Sequence, residues 1–163
     1  MSAAGGDLQR AYRDAIGTFA TGVTIVTTNG PDGPAGMTTN AVTSLSLDPL
    51  LLLVCFNRGS RTLDAVRSSR RFAVNILRAE DVELAAVFAS KRVGREKFES
   101  VTHTEAQGVP VLDTALGWVA CELRDLLEGG DHVIGIGAVT GMGLEAEGSP
   151  LVYFRSRYTT IAS

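Results

Sequence analysis

Histidine is nearly absent from this chain: His103 and His132 are the only two among 163 residues, so a multi-histidine metal site is excluded and no metal is expected. Cysteine is equally scarce. Cys55 and Cys121 lie in apolar, strand-like segments with no redox or metal spacing, which makes them small core residues and leaves no structural disulfide to expect. No apolar run approaches the ~18 residues of a membrane-spanning helix. Met1 to Asp7 carry neither the cationic start nor the apolar stretch of a signal peptide, so the expectation is a soluble cytoplasmic protein. Basic charge is in deficit, 15 Lys and Arg against 18 Asp and Glu for a net charge of −3. Without a basic stripe interleaved with aromatics, neither nucleic acid nor an anionic membrane is an expected partner.

The usual catalytic signatures are missing too. There is no Gly-rich loop ending in Gly-Lys-Ser/Thr and no Gly-x-Ser-x-Gly elbow. Gly135-Ile136-Gly137-Ala138-Val139-Thr140-Gly141 approximates a dinucleotide fingerprint, but its third glycine comes one place late and no helix follows. Hydrolases and lyases usually need a positioned His or a carboxylate pair. Hydride transfer between two cofactors needs mainly proximity and orientation, and a chain this poor in acid–base groups fits the second case better.

What is present reads as one domain, mainly β with peripheral helices. Asp7 can cap an amphipathic helix with Leu8, Ala11, Tyr12, Ala15, Ile16 and Phe19 on one stripe and Gly22 as its terminator; residues 1–7 are expected to be disordered. Val23 to Thr28 is rich in β-branched residues and enters the turn Asn29-Gly30-Pro31-Asp32-Gly33, which predicts an antiparallel hairpin with the segment from Ala35. Ser60 or Thr62 can cap a short helix to about Arg67, and Phe72 to Leu77 reads as a strand with Phe72, Val74 and Ile76 on one face. Asp81 caps a second helix containing Leu84, Ala85, Val87 and Phe88, followed by a basic run of Lys91, Arg92, Arg95 and Lys97. Gly108-Val109-Pro110 predicts a turn, Gly117 to Leu127 and His132 to Val139 a hairpin about Glu128-Gly129-Gly130-Asp131, and Leu151 to Arg155 a last strand with Tyr153 and Arg155 on one face. Many short strands with a few helices imply a barrel-like β domain.

One stretch carries more polar hydrogen-bonding groups than a core strand needs. Gly36-Met37-Thr38-Thr39-Asn40 with Thr43 and Ser44 precedes the apolar run Leu50 to Phe56, and Asn57-Arg58-Gly59-Ser60-Arg61-Thr62 follows it. If the chain doubles back at Asp48-Pro49, both clusters line one cleft, offering neutral donors to a polar ring edge and Arg with Ser/Thr donors to a phosphate. The same residues also suit plain turns and caps.

These motifs resemble, in order, the flavin reductase-like family, the short NAD(P)H:flavin oxidoreductases of two-component monooxygenases. The resemblance rests on Phe19 to Thr28, Gly36 to Asn40 with Thr43-Ser44, Asn57 to Thr62, Phe72-Ala73-Val74-Asn75, Gly130-Asp131-His132, and Tyr153-Phe154-Arg155 with Tyr158. It implies an antiparallel split β-barrel in a homodimer that reduces FMN or FAD with NADH or NADPH. Reduced flavin, bound without a covalent bond, would pass to a partner flavin-dependent monooxygenase. By position it implies that Gly36, Met37, Thr38, Thr39, Asn40, Thr43 and Ser44 meet the isoalloxazine and ribityl chain. Cys55, Phe56, Asn57, Arg58, Ser60, Arg61 and Thr62 would continue along the flavin, and Ala89, Ser90, Lys91 and Arg95 would lie near its phosphate. His132, Tyr153, Arg155 and Tyr158 would sit on the nicotinamide side, with His132 the catalytic candidate. Ala41 stands where the family often has Ser, and Leu50 where a second Pro often follows Asp-Pro. A flavin-storage protein and a pyridoxamine-phosphate-oxidase-like enzyme are the alternatives on the same fold.

Overall fold

The computed structural model describes residues 3–145 and 147–161. Helix α1 (Ala3–Ile16) starts before Asp7, because the strong helix formers Ala3 and Ala4 already lie within it. Asp7 instead pairs with Arg10 at 2.8 Å one turn on. Of residues 1–7, expected to be disordered, Ala3 to Asp7 lie within α1, and Met1 and Ser2 lie outside the described residues. The helix stops at Gly17 rather than Gly22. Thr18 turns back onto the Ala15 carbonyl, and the Gly17 carbonyl accepts from the Arg155 amide at 2.7 Å.

After the two-residue strand β1 (Thr21–Gly22) comes the hairpin of β2 (Thr24–Gly30) and β3 (Gly33–Thr39), closed at Gly33 with φ +107°. β4 (Val42–Leu47) and β5 (Leu50–Asn57) fold back on each other at Asp48–Pro49, where the sequence suggests a reversal, and that peptide is cis. Helix α2 (Arg61–Ser69) is capped by Ser60, whose hydroxyl accepts from the Thr62 amide; Thr62 is inside the helix and buried. β6 (Arg71–Ile76) follows, then α3 (Val82–Ala89) and α4 (Gly94–Phe98), the hairpin β7 (His103–Ala106) and β8 (Val109–Leu112), and the long pair β9 (Gly117–Gly129) and β10 (His132–Leu144). β11 (Val152–Phe154) and β12 (Arg157–Thr159) close the chain.

Seven strands form one antiparallel sheet in the order β3-β2-β6-β9-β10-β5-β4. Its two edge strands, β3 and β4, are joined by Asn40 and Ala41 alone, and Cys55 donates its amide to the Ala41 carbonyl at 2.9 Å. The sheet must roll to bring those edges together. Its inner face buries Val26, Leu52, Val54, Phe56, Phe72, Val74, Leu123 and Val133, and α2 adds Leu63 and Val66 to the same core. Removing this much apolar surface from water is the main driving force for the fold.

β6 differs from its expected one-sided pattern. Phe72 and Val74 face the core, but Ala73 and Asn75 are also fully buried, under the β7–β8 hairpin, while Ile76 is partly exposed. Asn75 explains how a polar residue fits there. Its amide donates to the Ile25 carbonyl and to Thr27, its oxygen accepts from the Leu112 amide, and Thr27 itself donates to the Pro110 carbonyl. A fully satisfied buried network of this kind fixes one docking position for the hairpin. The turn expected at Gly108 to Pro110 falls at Gln107–Gly108, both with positive φ, because Val109 and Pro110 are needed as buried strand residues. Arg155 is likewise not a strand residue. With Ser156 it forms the β11–β12 turn, and both have positive φ. No helix among the described residues is long and apolar enough to cross a membrane.

Candidate functional site

β3 lies at a sheet edge, so every second residue presents an amide and a carbonyl that β2 does not use. That open edge forms one wall of a cavity of about 630 Å³, a size suited to a cofactor. Gly36, Met37, Thr38 and Thr39 line this wall. Gly36 has a steric reason to be glycine, since a Cβ there would sit 2.7 Å from the Phe88 ring. The Thr38 hydroxyl donates to the Ala85 carbonyl at 2.6 Å, and Thr39 accepts from the Ala41 amide, so each keeps further capacity toward the cavity. Cys55 and Asn57 line the opposite wall from the end of β5, and Ser60, Arg61 and Thr62 contribute the start of α2. The two polar clusters thus meet across one cleft, although β3 and β5 are separated in the sheet by four strands.

The far end is cationic. Ala89, Ser90 and Lys91 line it, joined by three residues that the sequence did not single out for the site: Phe88, Arg92 and Lys97. Arg61, Lys91, Arg92 and Lys97 are the charged lining residues, and no carboxylate is among them. Arg61 donates to the Lys91 carbonyl at 3.2 Å, tying α2 to the basic loop. The N-terminus of α2, whose first amides lack helical partners, adds a partial positive charge at the same place. Burial, and then the neighbouring Arg61 charge, lower the Lys97 pKa below its ordinary value. Arg95, expected near this end, is exposed on α4 and does not line the cleft, whereas Lys97 does. Two residues along a helix point about 200° apart, so only one of the pair can face inward.

At the other end stands His132, the first residue of β10 and in register with Asn57. Its Nδ1 lies 2.8 Å from Asp131 Oδ1. The His132 hydrogen bond, then its charge, hold the Asp131 carboxyl below its usual pKa. An ionised carboxylate only accepts, so Nδ1 carries a proton, and in the neutral imidazole Nε2 is left as an acceptor. Arg58 fixes the turn that presents this imidazole. Its guanidinium donates to the Glu128 carboxylate and to the Gly130 carbonyl, and its amide donates to the Asp131 carbonyl at 3.0 Å. These bonds hold Arg58 outside the lining of the cleft, although the resemblance implies that it lies along the flavin. Its role could be found only from the long-range pairing of β5 with β10.

Several other expected residues lie elsewhere. Phe56 is fully buried and packs edge-on against Phe72 at 6.1 Å, so its side chain cannot meet a ligand. Asn40 donates to the Thr21 hydroxyl beyond the end of β3, and Thr43 and Ser44 are exposed on β4. Tyr153 and Tyr158 pack together at 5.6 Å in the small sheet β1-β11-β12. Arg155 is turned over Phe154. None of these lines the cleft. The thiol of Cys55 is pushed up in pKa by burial, as is that of Cys121, to about 12.

An antiparallel β protein results in which an open edge strand, a helix start and cations without lining carboxylates share one cleft, a set of groups suited to an anionic, hydrogen-bonding ligand. The chain matches the family model "Flavin reductase like domain" over residues 16–162, and it belongs to that family. It is 42% identical to a probable flavin reductase of Rhizobium meliloti over 93% of its own length, and spans about half, 48%, of that relative. Among solved structures it is similar to nitrilotriacetate monooxygenase component B of Mycobacterium thermoresistibile, with TM-score 0.91, 36% identity, and 96% of this chain and 88% of that one covered. It is also similar to the NADH:FAD oxidoreductase SgcE6 of Streptomyces globisporus in complex with NAD and FAD fragments. There the TM-score is 0.88 and the identity 31%, with 94% of this chain and 93% of the other covered.

Proposed function

We propose that this chain is a single flavin reductase-like domain of split-barrel type that reduces FMN or FAD with NADH or NADPH and releases reduced flavin to a flavin-dependent monooxygenase. The observation that carries the reading is the polarity of the one cleft: an open β edge at its centre, cations without carboxylates at one end, and an oriented imidazole at the other. That donor set fits a flavin. The β3 edge and the Thr38 and Thr39 hydroxyls suit the ring edge and ribityl chain, and Ser60, Arg61, Ser90 and Lys91 suit the phosphate. Bound flavin and nicotinamide supply the hydride chemistry between them. The chain's part is to bind and orient. His132, its ring oriented by Asp131, holds the nicotinamide carboxamide in register with the flavin and need not transfer a proton to the ring. Names of similar proteins, among them an NADH:FAD oxidoreductase and a monooxygenase component, support the same reading.

The active form is a homodimer. Leu8, Tyr12, Ile16 and Phe19 are all more than half exposed, and Leu45, Leu47 and Leu50 add exposed apolar surface on β4 and β5. Patches of this kind mark association surfaces.

Flavin should bind reversibly with a Kd of roughly micromolar order, about −8 kcal/mol, since no nucleophile is activated beside the cleft. Acid precipitation of protein saturated with FMN should leave all the yellow colour in the supernatant. Colour retained in the pellet would refute exchangeable binding.

A further inference from the structure

Lys97 is the only buried charged residue among the described residues. It is 7% exposed, whereas Arg61, Lys91 and Arg92, which share the cleft, are exposed. Its ammonium donates to the Phe88 carbonyl at 2.9 Å and to the Gly36 carbonyl at 3.3 Å, both neutral. None of the ion pairs among the described residues includes it. An ammonium has three donors, so one remains, and the side chain lines the cleft.

A buried charge is costly unless it is paired. The structure nevertheless places this one by two tight contacts. Gly94, at the start of α4, approaches β3 so closely that a Cβ would meet the Pro34 carbonyl at 2.9 Å. Gly36 lets the Phe88 ring against the same strand. The first contact seats α4, from which Lys97 lines the cleft while Arg95 does not, and the second seats α3, whose Phe88 carbonyl receives the ammonium. The carbonyls orient the ammonium but leave its charge uncompensated, and nothing acidic lines the cavity to compensate it.

Resting on the flavin reading above, we propose that Lys97 is the buried anchor of the flavin phosphate and the residue that sets the preference for phosphorylated over unphosphorylated flavin. Its counter-charge is the ligand's phosphate. The exposed Arg61, Lys91 and Arg92 contribute a weaker, salt-screened attraction.

The test compares FMN and riboflavin binding by the wild type, Lys97→Gln and Lys97→Arg, with thermal melting recorded for each. Lys97→Gln keeps an amide donor for the two carbonyls and removes the charge. It should weaken FMN by about tenfold or more, the scale of one charge-assisted hydrogen bond, and leave riboflavin nearly unchanged. Lys97→Arg should retain most of the preference for FMN. Lys97→Met, a similar volume without donor or charge, repeats the measurement if the Gln variant melts early. Equal weakening of both flavins by the neutral variants would make Lys97 a strut between α4 and β3, and unchanged FMN binding would remove it from the phosphate; either overturns the assignment while sparing the flavin reading. Wild-type protein that binds neither flavin would overturn the flavin reading and this assignment with it.

Discussion

Among single residues, the proposed function gives His132 the task of positioning the nicotinamide and Arg58 that of holding His132 in place. His132→Ala should raise KM for NAD(P)H roughly tenfold, about 1.4 kcal/mol, with flavin affinity nearly unchanged. Equal losses in flavin and nicotinamide binding would return His132 to a structural role. Arg58→Ala should act in the same direction but less, by about fivefold or ~1 kcal/mol, because its partners are exposed. A loss of flavin binding instead would place Arg58 back in the cleft. Cys121, with its thiol pKa pushed up to about 12 by burial, holds no thiolate at neutral pH. Iodoacetamide should modify it only in denatured protein, and mapping by mass spectrometry checks this. At this scale the sequence is informative about residue type and poor about direction. That Thr38 and Thr39 would face Asn57, Ser60 and Thr62 across one cleft was legible because their spacing brackets a single hairpin, whereas Asn40, Thr43 and Ser44 lie outside its lining. That Arg58 turns outward and Lys97 inward was not, because each direction depends on a carbonyl supplied by a distant element, Gly130 in one case and Gly36 and Phe88 in the other.

Among the elements, the hairpins were readable wherever turn chemistry is local. Asn29 to Gly33 and Glu128 to Asp131 name their turns outright, and Ser60 caps α2 where its side chain can reach the Thr62 amide. Elements fixed by tertiary contact were not readable. α4 begins at a glycine selected by its approach to Pro34 and Ala35, and the Arg155–Ser156 turn uses two non-glycine residues at positive φ, leaving no glycine or asparagine to mark it. The seat of α3 against β3 gives a direct test. Gly36→Ala would drive a Cβ into the Phe88 ring, and such overpacking costs about 1–3 kcal/mol. For a chain of this size that is a fall in Tm of roughly 2–4 °C per kcal/mol. Flavin affinity should drop as well, since the displaced ring lines the same cleft. An unchanged Tm would show that α3 is not held as described.

For the molecule as a whole, the mainly antiparallel β class followed from many short alternating segments, but the strand order did not. No local pattern says that consecutive strands β3 and β4 stand at opposite edges of a seven-stranded sheet. The apolar stripe of α1 was visible in the sequence, and the structure leaves it uncovered on one chain. Leu8→Glu with Ile16→Glu should therefore shift sedimentation from dimer to monomer and weaken flavin binding together. A wild-type protein that sediments as a monomer at micromolar concentration would contradict the assembly. The central claim, that the cleft brings nicotinamide and flavin together for turnover, is tested most directly by mixing excess NADH or NADPH with catalytic amounts of protein and FMN or FAD in air and following the absorbance of the reduced nicotinamide. Many equivalents consumed per protein and per flavin, with loss of the rate when either is omitted, is the predicted result. Tight flavin binding with the reduced nicotinamide left intact would instead define a flavin-storage protein and contradict the reductase function.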